Sequence, residues 1–526
     1  MLNVLFALLL AQIVPPSPPP LTTPSPSPAP SASPVPSPPA LTASPATLGL
    51  RPGTSATVAI SGATGTLSVT SGPLVTTAVD PATGAITVTA VGQLGRDVVH
   101  VVDQTGATVD VPVLVAHDAG SIPPSILLRV TGSPLDPQWL ASQLASAVTR
   151  TVTVQPGATL AVSPPPDVPV PQPGASASVA VPLTIAGNGN YLDVSGTADV
   201  AIENVAVEPF VPPTLMYDDD PEHIDGDGVV DRAAVTAGAP SRLYYYHDNA
   251  ADPRRLAVVL SSASASTVQV IDASAGPNID VMSVGHAVSR DFLLAKPRNE
   301  GVIYDVAPGA PLLLHDALMA KRQGVAGSVD FNVLSGGPVT VTILAFTPGS
   351  DPLALLDGPL LPKDGHHRNG VFDITNFGNS ALAYAVGGPD ASIVYGDRDP
   401  TPPNVDPSSS GRDYGDYGVI HTFLFSLANP TQDPATVYLF ERPIGGIVRS
   451  SFIVDGTLVD MGCVRENTTR YQVSAFSLAP NARYQLNVMT MTDGGSNYPL
   501  EVGLSTTPPS PTTPPISGPD GCFPKR

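Results

Sequence analysis

The chain has 526 residues, with 24 Lys and Arg against 45 Asp and Glu, a net charge of −21. A nucleic-acid binder replaces phosphate counterions with clustered basic side chains; no such cluster exists, so DNA and RNA are excluded as partners and an anionic membrane surface is disfavoured. The 62 Pro and 47 Gly break the apolar runs too often for long helices, and the length suggests three to five domains dominated by β-structure.

The first segment, MLNVLFALLLAQIV (1–14), reads as an export signal. Its apolar run is too short to span a bilayer, Ala11 suits the residue before cleavage, and no Lys or Arg precedes it, which departs from the usual pattern. The mature chain is therefore expected outside the cytoplasm, in the periplasm, at the cell surface or beyond it, with no membrane span. Residues 15–45 form a Pro/Ser-rich linker, extended and unable to build a core.

Residues 46–117 alternate apolar and polar side chains, which places Ile86, Val88 and Ala90 on one face of a strand. DQTG (103–106) separates two such runs as a hairpin turn. The stretches LRPGTSATVAI and VVDQTGATVDVPVLV resemble the bacterial immunoglobulin-like modules of exported proteins. The resemblance implies a β-sandwich serving as spacer or adhesive module and brings no catalytic residue.

Block two, 122–212, is expected to be a small β domain with the chain's one short helix. Asp136 is a suitable cap, Pro137 suits the first turn, and Leu140, Leu144, Ala147 and Val148 form an apolar stripe. Trp139, the only tryptophan, lies beside that stripe and is expected in the core. Blocks three and four, 213–350 and 364–506, share a rhythm of strand, polar turn and strand, and are read as two β-sandwiches. The stretches SRLYYYHDN, ERPIGGIVRSSFIVDG and MTMTDGGSNYPLEVGL resemble an uncharacterised family of exported bacterial tandem β-sandwich proteins. That resemblance carries no established activity, so no functional residue follows from it. A Pro/Thr-rich tail occupies 507–526. Its Cys522 and the earlier Cys463 are the only cysteines, an even count that permits one disulfide in an oxidising compartment; two free thiols or a cross-link between chains are the alternatives.

Within block three, HIDGDGVVD (223–231) raises calcium, the one cofactor the sequence suggests. Asp225, Asp227 and Asp231 are the candidate ligands, and Asp218, Asp219, Asp220 and Glu222 could add oxygens. The helix-loop-helix motif is not met: His223 falls at its first position and Ala234 at its twelfth. The alternative is a solvated turn. A second acidic loop carries Asp397, Asp399, Asp406, Asp413 and Asp416, with Tyr414 and Tyr417 at its exit. His366 and His367, being adjacent, point to opposite faces and are expected in a turn, whereas His247 is expected buried and hydrogen-bonded. No nucleophile elbow, zinc-protease helix, P-loop or dinucleotide fingerprint occurs. The reading is an all-β, non-enzymatic exported envelope or surface protein of tandem β-sandwiches, a scaffold or adhesin whose partner is an envelope component, glycan or protein. The alternatives are a calcium-ordered glycan- or protein-binding module and an aspartate-based hydrolase.

Overall fold

The computed structural model describes residues 40–407, 409, 411–465, 467–511 and 522. The leader at 1–14 and the linker up to residue 39 lie outside the described residues, as does most of the tail. Two compact units divide the chain, Met1–His117 and Asp118–Arg526. The fold is all-β, built from β-sandwiches, and no helix among the described residues is long and apolar enough to cross a membrane.

The first unit is a sandwich of two four-stranded sheets. One runs in the order Thr42–Ser44, Ser55–Ser61, Ile86–Ala90, Val75–Val79, and the other Leu48–Leu50, Thr108–Val115, Gly95–Val102, Ser68–Ser71. The first strand is split: Thr42–Ser44 pairs antiparallel in one sheet, and Leu48–Leu50 then crosses to pair parallel with Thr108–Val115. This is an immunoglobulin-like arrangement. Alternation places Ile86, Val88 and Ala90 in the core with Val58, Val99, Val101, Val111 and Val113. The strand Thr42–Ser44 falls in the last residues of the stretch read as linker.

In the second unit one sheet of eleven strands runs through blocks two and three. Block two contributes Thr159–Val162, Ser176–Ala186, Val194–Asn204 and Ile126–Thr131. An antiparallel pair, Val130 with Val302 and Thr131 with Gly301, carries the sheet into block three. It continues through Gly301–Val306, Ser266–Asn278, Gly324–Ser335, Ser241–Asn249 and Thr214–Asp218 to Asn369–Asp373, a strand from the start of block four. Helix α1, Pro137–Thr151, covers block two's part of the sheet. Asp136 accepts from the N–H groups of Gln138 and Trp139, and Leu140, Leu144, Ala147 and Val148 are its buried stripe. Trp139 packs its ring partly against that core and is half-buried.

Block three's part of the sheet has two covered faces. One packs on a second sheet, ordered Gly228–Val235, Val339–Phe346, Arg254–Ser261, Leu312–Met319, and the core between them includes Leu243, Tyr245, Val258 and Phe331. The other carries Leu215, Tyr217, Tyr244 and Tyr246 and is covered by a second helix, α2 (Val281–Ala295). This corrects the expectation of a single helix. Helix α2 buries Met282, Val284, His286, Val288, Ser289, Phe292 and Leu293, and its solvent side is reduced to a narrow face at Arg290 and Asp291, because the last sandwich closes over it through Ile453 and Met491. That sandwich joins a five-stranded sheet, containing Ile420–Ala428 and Arg483–Met491, to a four-stranded one around Phe423, Phe425, Leu439, Phe452 and Val502. Cys463 is disulfide-bonded to Cys522, Cα atoms 5.6 Å apart.

Candidate functional site

The seam where α2 and the last sandwich meet the large sheet is unusually polar for a buried interface. Its closest approach is made by glycine: a Cβ on Gly285 of α2 would stand 2.1 Å from the carbonyl oxygen of Gly494, so only hydrogen allows the helix to lie on the loop 493–497. His286, the next residue, is clamped between two carboxylates, Nδ1 at 2.7 Å from Asp493 and Nε2 at 2.6 Å from Asp460. Burial disfavours its charged form, yet the charge of Asp493 and the hydrogen bonds the ring donates to both carboxylates outweigh it and hold the pKa above the usual 6.5. On the sheet, Arg242 and Asp330 are cross-strand partners. Arg242 Nε donates to Asp330 at 2.6 Å, and Lys296 from the C-terminal end of α2 reaches the same carboxylate at 2.7 Å. These contacts fasten α2 to both layers.

At one end the seam opens into a cleft of about 180 Å³. Its walls come from three places. Tyr244 and Tyr246 alternate onto the α2 side of Ser241–Asn249; Tyr217 lies in the parallel neighbour Thr214–Asp218, and Asp219 and Glu222 follow it; Arg368 immediately precedes the strand Asn369–Asp373, and Tyr417 lies just before the strand Ile420–Ala428 of the last sandwich. Gly494, Gly495, Ser496 and Asn497 form the opposite lip. The tyrosines interlock: Tyr217 meets Tyr244 edge-on at 5.4 Å and Tyr417 at 6.4 Å, and the Arg368 guanidinium lies 4.9 Å from the Tyr417 ring centre. Tyr417 donates to the Ser496 carbonyl at 2.6 Å and Tyr217 to Asp219 at 3.3 Å.

Four buried polar atoms of this lining have no protein partner: Asp219 Oδ1, Tyr244 Oη, Tyr246 Oη and Arg368 Nε. An unmet buried donor or acceptor costs about 1–3 kcal/mol, so these four atoms call for polar partners from outside the protein, water or a ligand. Burial, reinforced by Glu222, lifts the Asp219 pKa to about 7 against the opposing charges of His247 and Arg368. Near neutral pH its carboxyl can therefore donate as well as accept. Burial also drives the Tyr244 and Tyr246 hydroxyls upward, so both stay protonated.

The structure does not gather the three aspartates proposed for calcium. Asp227 is ion-paired with Arg254 and accepts from Thr347; the Asp225 side chain is exposed, and its carbonyl accepts from Arg254 at 2.9 Å. Asp231 turns inward at an irregularity in its strand pairing, where burial and Asp218 lift its pKa to about 6. A basic neighbour and opposed side-chain directions separate what alternation along the sequence suggested could converge. His247 is buried as expected, with Nδ1 2.9 Å from the Pro221 carbonyl and Nε2 3.2 Å from Asp218. The second acidic loop splits: Asp413 and Asp416 are buried, whereas Asp397 and Asp399 stand exposed on the rim of a separate hollow floored by His421 and Asp416. Asp219 was visible in the sequence only as a spare oxygen, and Arg368, 149 positions away, gave no local signal. A wider groove of about 550 Å³ lies between α1 and α2 beside Trp139, but its Arg298 pairs with Asp136 and Glu300, and its Arg290 with Asp291, so its charges satisfy one another.

No known family model and no curated protein sequence matches this chain. Among solved structures, it is similar at 11% identity to Lac15 from a marine microbial metagenome, covering 86% of each chain with a TM-score of 0.11. It is similar at 10% identity to the Bacteroides ovatus mixed-linkage glucan utilization locus protein SGBP-B in complex with a mixed-linkage heptasaccharide, covering 56% of this chain and 70% of that one, with a TM-score of 0.13. Carbohydrate-binding modules of the β-sandwich superfamily align at 9% identity over 59% of this chain and 97% of theirs, TM-score 0.13. Scores this low say nothing about function.

Proposed function

We propose that this chain is an exported, non-catalytic binding protein of the cell envelope or surface, whose sandwiches hold the tyrosine-lined cleft for one sugar-sized polar group of a glycan. The observation that carries the reading is the convergence of the four unpartnered buried polar atoms on that cleft. At about 180 Å³ it is smaller than the roughly 300–1,000 Å³ of typical drug-sized ligand sites. Sugar hydroxyls both donate and accept, which matches a wall offering phenols, a guanidinium and a carboxyl near its midpoint, and sugar C–H faces suit tyrosine rings. The immunoglobulin-like first unit then serves as a spacer.

A second reading is favoured by one feature. Asp219 and Glu222 line the same cleft, and a carboxyl with a pKa near 7 beside a second carboxylate is the pattern of a glycoside-hydrolysing acid and its partner. Against it, Glu222 is already ion-paired to His367 at 2.6 Å. A glycan array probed with the full chain, followed by chromatography of each retained glycan after prolonged incubation, separates the two. Retention without cleavage supports binding, cleavage lost in Asp219→Asn supports hydrolysis, and no retained glycan overturns both.

A further inference from the structure

The stretch that suggested calcium sits beside a different set of donors. His223 is paired in register with Asp248 on neighbouring parallel strands, His223–Ile224 and Ser241–Asn249, so their side chains share a face. His223 Nδ1 lies 2.7 Å from Asp248 Oδ1. Glu222 is adjacent, its carbonyl accepting from the Asp248 N–H at 2.8 Å. One donor atom each from Glu222, His223 and Asp248 fall within 4.8 Å of one another, the one such group among the described residues. A fourth side chain joins from a distant segment: His367 Nε2 is 2.6 Å from Glu222 Oε2, and its ring centre is 6.0 Å from that of His223.

We propose that Glu222, His223, Asp248 and His367 form a binding site for a divalent transition-metal ion with the preferences of zinc. Two imidazoles and two carboxylates are a donor set that zinc accepts and calcium, which takes oxygen, does not. His367 has the farthest to move, since the other three donors already lie within 4.8 Å of one another. Zinc bonds of about 2.0–2.1 Å in a tetrahedron hold ligand atoms about 3.3 Å apart and imidazole centres about 5 Å apart. The 2.6–2.7 Å contacts would therefore open by about 0.6 Å and the rings close by about 1 Å. The His223 side chain, 59% exposed, is free to make that adjustment.

A separate observation points the same way. Asp364 Oδ2 lies 2.6 Å from His367 Nδ1, and Asp364 is itself held by the N–H groups of His366 at 2.8 Å and His367 at 3.1 Å. A carboxylate that fixes one ring nitrogen and aims the other at a shared point is the usual outer support of a metal-bound histidine. An isolated pair such as His100 with Asp110 has no such backing and no third donor. The inference stands without the glycan reading, although Glu222 borders both places and the metal would sit on the cleft's rim.

The test uses tag-free full-length protein, stripped with a chelator and dialysed, titrated calorimetrically with zinc chloride. One equivalent per chain is expected, unaffected by millimolar calcium. His223→Ala and His367→Ala should each weaken binding by more than about 10-fold, and Asp364→Asn by about 10–100-fold, while His100→Ala binds as the wild type does. Cobalt(II) substituted at the site should show the intense visible absorption of a tetrahedral ion, lost in His367→Ala. Should a histidine variant fail to fold by circular dichroism, Asp248→Asn replaces it. Absence of binding at about 100 micromolar zinc, far above the dissociation constants that structural zinc sites reach, or undiminished binding in the His223→Ala/His367→Ala double variant, overturns the site. With the glycan array repeated in chelator, a failure of glycan retention leaves the zinc result intact, and the reverse holds.

Discussion

Replacing Gly285 with alanine tests whether the seam is as tight as its geometry states. In an exposed helix this change stabilises by about 0.5–1 kcal/mol, since alanine loses less backbone freedom on folding. Here the new Cβ would stand 2.1 Å from the Gly494 carbonyl oxygen and 2.5 Å from its carbonyl carbon and Cα, all backbone atoms that no rotamer change can remove. An ordinary contact begins near 3.4 Å, so α2 and the loop 493–497 must separate by about 1.3 Å. Overpacking of this kind costs about 1–3 kcal/mol, and the helix-propensity gain offsets only part of it. The net expectation is a loss of up to about 2 kcal/mol, together with weaker ligand retention, because Gly494–Asn497 form a lip of the cleft. Urea unfolding of wild type and variant, followed by tyrosine and tryptophan fluorescence, measures the first effect. A variant more stable by about 1 kcal/mol would refute the reasoning and show that the helix does not rest on the loop.

The remaining predictions concern the contacts that fasten the same helix. Asp330→Ala strands two buried cations, Arg242 and Lys296, and should cost about 3–5 kcal/mol in a urea titration. A loss below about 1 kcal/mol would mean that these groups are solvated rather than paired. His286, whose folded pKa is raised, contributes stability that is complete below its unfolded value near 6.5 and is lost as pH rises through the higher folded value. Asp460, lowered overall because His286 outweighs its burial, contributes stability above about 3.8 that is lost as pH falls through its depressed folded pKa. Melting temperature should therefore fall between pH 6 and pH 9, and His286→Asn should flatten part of that fall. An unchanged profile in the variant would assign the slope to His247 and to the buried carboxyls that burial lifts into this range, Asp219 and Asp416 to about 7 and Glu441 to about 8.

What the sequence disclosed follows physical range. Asp136, Pro137 and the stripe of α1 act within a few residues of one another, so the cap, first turn and buried face were all legible. The same holds for Ile86, Val88 and Ala90, whose period of two needs only one covered face. Helix α2 escaped because polar His286 and Ser289 lie on its buried side, and Gly285 reads as a breaker when it is a contact point. The candidate cleft was less visible still. Tyr244 and Tyr246 could be placed on one face of a strand by alternation, but their neighbours Arg368 and Gly494 arrive from other blocks, and no spacing rule connects them. In HIDGDGVVD the pattern drew attention to the right region and the wrong atoms: the aspartates are dispersed by Arg254 and by strand direction, while His223, a poor calcium ligand, lies among the donors that do converge.

The central claim is that the cleft's unmet polar atoms exist to be completed by a ligand, and the Tyr244→Phe/Tyr246→Phe double variant tests it most directly. Each change keeps the ring and removes one unpartnered hydroxyl. A hydroxyl that serves only the fold costs stability when buried unpaired, so both accounts predict a melting temperature equal to or above that of the wild type. They part on binding. Calorimetric titration with a glycan retained on the array should show affinity lower by about 10-fold or more, the equivalent of one or two lost hydrogen bonds of about 0.5–1.5 kcal/mol each. Equal affinity in wild type and variant would contradict the claim and place the ligand elsewhere on the molecule.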